Sequence, residues 1–401
     1  MTRKRTPMAS KGWVLTHLMQ RFLSSESKSG VILIACTVFS LLLTNSPLSE
    51  SYLSIWHIDI AGFSIEHLIN DGLMAIFFLL VGLEIEREIY IGELSNIKAA
   101  LLPLFAALGG MFCPALIHWL FNQGTATQDG AGIPMATDIA FALGVLMLLG
   151  KRVPVSLKIF LTALAIIDDL GAIVVITLFY SKGIAWDYLG GAVGIFALLA
   201  VFNRLKIYLL WPYLLLGAAA WYCMLHSGIH ATITGVVLAF LIPFGKGDDH
   251  SPSYRLEHRL TGIIAYGILP LFALANTALV IPSHWTQELM SANSVGIMLG
   301  LLIGKPVGIV LFTLLAVSLG WSRLPHDLRW SHIIGAGILG GIGFTMSMFI
   351  TLLAFETPDV IVASKIAIMM ASVMAAILGL GWLNVVSKKP VIYSSVSTDK
   401  N

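Results

Sequence analysis

Two adjacent aspartates, Asp168 and Asp169, interrupt an apolar run that reads LTALAIIDDLGAIVVITLFY from Leu161 to Tyr180. A carboxylate at the centre of a spanning helix costs about 2.5–3.5 kcal/mol on insertion scales, so a doublet must be offset by a counter-charge, a proton or a bound cation. Each of those three is a statement about ion movement. A lysine, Lys305, stands inside the apolar run LLIGKPVGIV, and Thr137 and Asp138 stand inside IPMATDIAF. Three carboxylates therefore share one intramembrane lysine, and the surplus negative charge calls for a mobile cation. Consecutive helical residues diverge by about 100°, so Asp168 and Asp169 cannot face the same partner. The expectation is that one pairs with Lys305 while the other, with Asp138 and the Thr137 hydroxyl, faces a water-filled path. Oxygen donors of this kind suit a hard cation, which places Na+ or Li+ at Asp168, Asp169 and Thr137. The same groups accept protons. A site that holds either, opened alternately to two sides, exchanges one for the other, with no cofactor beyond the transported ions.

The elements that must position these residues are membrane helices. Of the 401 residues, 57% are hydrophobic and 11% charged, against roughly 25% charged in a soluble protein. The net charge of +2 gives no reason to expect nucleic acid as a partner. Cys36, Cys113 and Cys223 all lie in apolar runs without metal-ligand spacing and are expected to be core residues. With roughly 20 apolar residues needed to span, twelve segments emerge, at about 29–45, 68–85, 98–120, 128–150, 156–180, 187–202, 206–222, 229–243, 260–280, 294–318, 331–355 and 361–386. They form a single integral membrane domain over 1–401. A basic N-terminal segment, 1–28, with an amphipathic stretch at Trp13, Val14, Leu18 and Phe22, and a tail, 387–401, are both expected in the cytoplasm. The 46–67 linker is expected outside.

Positive charge supports that orientation. Arg87 and Lys98; Lys151, Arg152 and Lys158; Arg204 and Lys206; Lys246, Arg255 and Arg259; Arg323 and Arg329; and Lys388 and Lys389 fall in alternate loops or tails. The opposite loops hold only Lys182 and Lys365.

The fourth and eleventh segments are abnormal. Gly132, Pro134, Thr137 and Asp138 leave an apolar half-helix from Ile139 to Leu149 that is too short to span, and Gly335, Gly337, Gly340, Gly341 and Gly343 weaken the middle of GAGILGGIGFTMSMF. Small residues of this kind also serve close helix packing. Segments 3–5 and 10–12 are nevertheless each a triplet with an interrupted middle member, and the charge map runs the triplets in opposite directions, as inverted repeats should. The expected fold is an all-α membrane protein with twelve transmembrane helices, inverted repeats, and two discontinuous helices, 4 and 11, crossing at the midplane. Half-helix ends that meet there need opposite charges, for which Asp138 and Lys305 are the candidates.

Several long stretches, ATDIAFALGVL (136–146), KIFLTALAIIDDLGAI (158–173), FFLLVGLEIERE (77–88), HSGIHATITG (226–235) and LPLFALAN (269–276), give the whole chain a resemblance to the NhaA family of bacterial sodium/proton antiporters. That resemblance implies Asp168 and Asp169 as the central carboxylates, Asp138 and Lys305 as compensators of the crossed helix ends, Thr137 at the crossing, and Gly340, Gly341 and Gly343 at a break. It implies expulsion of Na+ or Li+ by inward proton flow, with more than one proton per cation, in the bacterial inner membrane. It also implies a cytoplasmic acidic funnel linked to pH regulation, matched here by Glu84, Arg87, Glu88, Glu257 and His258. Two positions depart from the family pattern. Glu86 stands where a basic residue is usual and Thr261 where some members carry histidine, which bears on pH tuning and leaves the transport core intact. Family members dimerise through an outer hairpin, and LSIWHIDIAGFSIEHLI (53–69) alternates as a short hairpin would.

Two rivals share the membrane aspartates. An intramembrane aspartyl protease gains a GxGD match at GKGD (245–248), but in a hydrophilic loop, and it needs its aspartates on separate helices. A passive cation channel needs neither a midplane lysine nor broken inverted repeats.

Overall fold

The computed structural model describes residues 17–60, 62–181 and 183–387. The first 16 residues and the tail from 388, which include Trp13, Val14, Lys388 and Lys389, lie outside the described residues, as does Lys182. Among the described residues, eight helices are long and apolar enough to cross a membrane: Ile65–Tyr90, Ala99–Asn122, Gln128–Met147, Val155–Phe179, Trp186–Arg204, Pro252–Asn276, Ala292–Ser318 and Pro358–Val386. A ninth span is the bent pair Trp330–Gly340 and Phe344–Ala354, whose halves meet at 46°. The apolar part of the first helix, Ser29–Thr44, and the helices Leu210–His226 and Ile233–Leu241 are shorter. Leu178, Phe179, Trp186, Leu215 and Val385 are among many large apolar side chains left exposed, as a lipid-facing surface requires.

The helices sort into two packed sets. Ala99–Asn122, Gln128–Met147, Val155–Phe179, Ala292–Ser318, the bent pair and Pro358–Val386 form one bundle. Ile65–Tyr90, Ile233–Leu241, Leu210–His226, Trp186–Arg204 and Pro252–Asn276 flank it, and the first helix lies against Ile139–Met147 on one side and Leu269–Asn276 on the other. Within the bundle, Ala99–Asn122 and Ala292–Ser318 touch backbone to backbone at Gly109 and Gly308, where a Cβ on either residue would run into the other's carbonyl. Such small-residue seams let membrane helices gain dispersion contact where no hydrophobic drive exists.

Several expectations need correction. Lys365 is not in a loop: it lies within Pro358–Val386 and is buried. Its helix starts at Pro358, a favoured first-turn residue, so the span begins earlier than the apolar run alone suggests. Arg87 is likewise helical and buried, in the last turns of Ile65–Tyr90. The loop expected to hold Lys246, Arg255 and Arg259 ends at Ser251, because Pro252 opens a helix whose first turns, PSYRLEHRLTGI, are amphipathic rather than apolar. Arg255, Glu257, His258 and Arg259 thus belong to a helix.

Between Thr44 and Ile65 the chain forms a helix, Ser49–Trp56, and two short antiparallel strands, with Asp59 opposite Ser64 and Ile60 opposite Phe63.

Candidate ion site at two interrupted helices

The sequence breaks its own helices at two places. In the first interrupted span, tight turns over Gln128–Met135 end where Ala136 becomes extended, and a new helix, Ile139–Met147, starts with Asp138 as its N-cap at φ −81° and ψ 99°. Aspartate is among the best N-caps because its side chain satisfies amides that have no partner one turn back. In the second, Gly340, Gly341 and Gly343 give up helical persistence, and Trp330–Gly340 ends before Phe344–Ala354 begins. Irregular backbone of this sort survives in a membrane only where protein covers it.

Hydrogen bonds join the two breaks. The Asp138 amide donates to the Ile342 carbonyl at 2.7 Å, and the Ser347 hydroxyl donates to the Ile133 carbonyl at 2.7 Å. One Asp138 oxygen accepts from the Phe141 amide at 2.9 Å, and the other accepts from the Thr345 amide at 3.0 Å and the Thr345 hydroxyl at 2.6 Å. A single carboxylate therefore caps the N-termini of both half-helices, where the helix dipoles favour negative charge. The carbonyl ends are served differently. The Lys305 ammonium donates to the Met135 carbonyl, and the Thr137 hydroxyl lies 3.0 Å from the carbonyl of Gly340.

The unbroken helix Val155–Phe179 brings the aspartate doublet to this junction. Asp168 Oδ2 receives Lys305 Nζ at 2.9 Å and the Thr137 hydroxyl at 2.7 Å, and both charged side chains are fully buried. The lysine stem is threaded between Gly110 and Gly340, where an added Cβ would stand 3.9 Å from its Cε. Thr137 has one hydroxyl proton for two acceptors, Asp168 and the Gly340 carbonyl, and serves them one at a time. Asp169 is 2% exposed, and its Oδ1, like Asp168 Oδ1, has no hydrogen-bond partner among the described residues. The grouping differs from the expectation. Thr137 goes to Asp168 rather than to the other aspartate, and Asp138 is occupied by capping, because its place at the N-cap leaves both its oxygens within reach of backbone amides.

A second cluster sits where Ile65–Tyr90 ends and Pro252–Asn276 begins. Arg87 reaches Glu257 at 2.7 Å through Nη1 and Glu88 at 3.0 Å through Nη2, all three side chains being nearly buried. Glu84 and Glu86 are buried on the same helix as Arg87. His258 is exposed and stacks on Tyr254 instead, with ring centroids 6.4 Å apart. The burial of Glu86 was detectable in principle. No proline and a single glycine, Gly82, stand between Phe77 and Glu88, too little to stop a helix, so the charges continue the helix rather than start a loop.

Residues 20–383 match the family described as Na+/H+ antiporter 1. The chain belongs to that family. Its members are transporters and not enzymes. Relatives within it include the Na(+)/H(+) antiporter NhaA of Cytophaga hutchinsonii, 59% identical over 377 residues that cover 94% of this chain and 97% of the relative. The protein of the same name from Flavobacterium psychrophilum is 58% identical, covering 94% of this chain and 98% of the relative. That of Helicobacter pylori is 45% identical at the same coverage. Among solved structures, the sodium proton antiporter MjNhaP1 from Methanocaldococcus jannaschii covers 92% of this chain and 100% of its own, with a TM-score of 0.51 and 16% identity, a likeness of fold alone. The protease rival finds no support in the family or in the geometry. Asp248 of the GKGD stretch lies in an exposed turn, accepting from the His250 amide and the Ser251 hydroxyl, each at 3.1 Å.

Proposed function

We propose that this family member is an electrogenic antiporter that expels Na+ or Li+ from the cell in exchange for inward protons, more than one per cation, and so serves sodium and pH homeostasis. The observation that carries the proposal is the charge imbalance at the joined breaks. Asp138, Asp168 and Asp169 are buried together against the single ammonium of Lys305, and two oxygens left without a hydrogen-bond partner among the described residues, Asp168 Oδ1 and Asp169 Oδ1, belong to neighbouring residues. A dehydrated Na+ suits such oxygens. Asp169, whose Oδ1 accepts no hydrogen bond among the described residues, needs either that cation or a proton. Asp168 has a further response. Once protonated it donates to the Thr137 oxygen, and the threonine proton is released to the Gly340 carbonyl at the second break. Two carboxylates that release one Na+ and take up one proton each move one net charge per cycle.

Counted as crossings, the nine spans and the three shorter apolar helices make twelve. That even number supports both termini on one side, the basic loops support the cytoplasmic side of a bacterial inner membrane, and a break in the middle of each triplet supports inverted repeats crossing at the midplane. The buried Arg87, Glu88 and Glu257 cluster supports a pH-responsive cytoplasmic mouth, and the strands at 59–64 support a homodimer contact. In sealed proteoliposomes, a Na+ or Li+ pulse should move protons the opposite way, faster when a membrane potential is imposed. Absence of cation-driven proton movement would refute antiport. Flux indifferent to the pH gradient would indicate a channel, and flux indifferent to potential would refute electrogenicity.

A further inference from the structure

Lys365 is a second buried lysine, and the site above does not use it. It is 7% exposed, yet among the described residues it makes no ion pair, and its ammonium is met by the amide oxygen of Asn276 at 3.3 Å. The Asn276 amide nitrogen passes the chain on to Asn70 Oδ1 at 2.7 Å. Asn70 itself is half-buried, so a line of polar groups runs from a lysine inside Pro358–Val386 towards the surface. Intramembrane charges that lack a structural counter-ion mark ion routes more often than scaffolding.

The orientation of Lys365 is fixed by its neighbour. Ser364 accepts from Asn293 Nδ2 at 2.7 Å, and Asn293 in turn contacts His118 at 3.1 Å, all within the bundle. With Ser364 pinned inward, the next residue turns about 100° and faces the flanking helices that carry Asn70 and Asn276. The contact therefore crosses the seam between the two packed sets. Other charged and titratable groups lie at this same end. Glu66 acts on the ammonium electrostatically, His67 pairs with Asp71 at 3.3 Å, and His230 acts on Asp71. Under the proposed orientation this is the outer end.

We infer that Lys365 is a positioning charge for the transport reaction: held by Asn276 and Asn70 across the seam and in ion-pair contact with no carboxylate among the described residues, its ammonium repels Na+ on the outer route and so lowers cation affinity at the outer face relative to the inner one. The inference rests on the antiport reading. It makes the site asymmetric although the transported ions and the central carboxylates are the same from both sides, and it favours release outward over re-entry.

The test uses the full chain in sealed proteoliposomes sorted by orientation, with Na+ presented to one face at a time. Lys365→Gln should lower the outer-face KM for Na+ about five- to tenfold, the scale expected for one unit charge acting within a Debye length, and leave the inner-face KM within about twofold. Lys365→Arg should restore the wild-type asymmetry. Asn276→Asp, which sets a carboxylate against the ammonium without removing it, should lower the outer KM in the same direction and decides the matter if Lys365→Gln does not fold. Equal changes at both faces, or an outer KM unmoved by neutralising the lysine, would overturn the inference. Wild-type protein that exchanges no Na+ for protons would instead overturn the antiport reading beneath it.

Discussion

The Lys305–Asp168 pair is the most direct handle on the energetics of the site. At 2.9 Å, two unit charges in an effective dielectric of about 20 attract by about 6 kcal/mol, most of which repays the removal of both from water. Removing one partner leaves the other charge buried and uncompensated, a loss of about 3–5 kcal/mol, whereas removing both abolishes the desolvation cost along with the attraction. Lys305→Met and Asp168→Asn are each expected to lower the thermal midpoint by about 5 °C, since the unfolding entropy of a chain of this length is roughly 0.8 kcal/mol per degree. The combined variant is expected within about 1–2 °C of wild type on the same scale. Thermal unfolding of the four proteins in one detergent measures all three differences. Strictly additive losses would refute the reasoning, because they would mean that the two charges do not stabilise one another.

Asp169→Asn should abolish exchange while leaving the thermal midpoint nearly unchanged, because no hydrogen bond to its Oδ1 is lost; turnover at the wild-type rate would remove it from the site. Asp138→Ala strips the acceptor from Phe141 and Thr345 at two helix starts and should cost about 2–3 kcal/mol, at roughly 1 kcal/mol per cap or hydrogen bond. Asp138→Asn, which keeps an acceptor oxygen, should lose less and retain exchange with weakened cation affinity; an Ala variant as stable as wild type would show that the caps are not needed. For pH, competition between protons and Na+ at Asp168 and Asp169 should raise the apparent KM for Na+ as pH falls and leave the maximal rate flat. Collapse of the maximal rate at acidic pH under saturating Na+, measured with equal pH on both faces, would assign control to Arg87, Glu88 and Glu257 instead.

Much of this architecture is written in local patterns. The doublet in an apolar run, the Thr-Asp step after Pro134 and the glycine series around Gly340 each advertise their oddity within a few residues, and the interruptions fall at those places. What local pattern does not carry is direction. Thr137 is two residues from a helix start, and whether its hydroxyl turns to Asp168 or to Asp169 depends on how Val155–Phe179 is rotated against the breaks, a product of packing over the whole bundle. Lys365 was hidden for a related reason. Hydropathy reads a lysine near the end of an apolar run as a boundary, but the Pro358 start and the partners Asn276 and Asn70, nearly 90 and 300 residues away in sequence, make it an interior residue. Glu257 and His258 are adjacent in sequence and sit on faces a third of a turn apart, so one meets Arg87 and the other meets solvent.

The glycine seam between Ala99–Asn122 and Ala292–Ser318 works as a thickness gauge. Gly308 lies one turn beyond Lys305, and its bare backbone rests on that of Gly109. A methyl group on either residue would act as a shim, prising the lysine helix outward by a large part of an ångström. The ammonium has little slack with which to follow, since its stem is already threaded between Gly110 and Gly340. The spacing of two uncharged backbones one turn from the lysine thus sets the reach of the one cation that three carboxylates share, and a hydrogen atom in place of a side chain becomes part of the site's electrostatics.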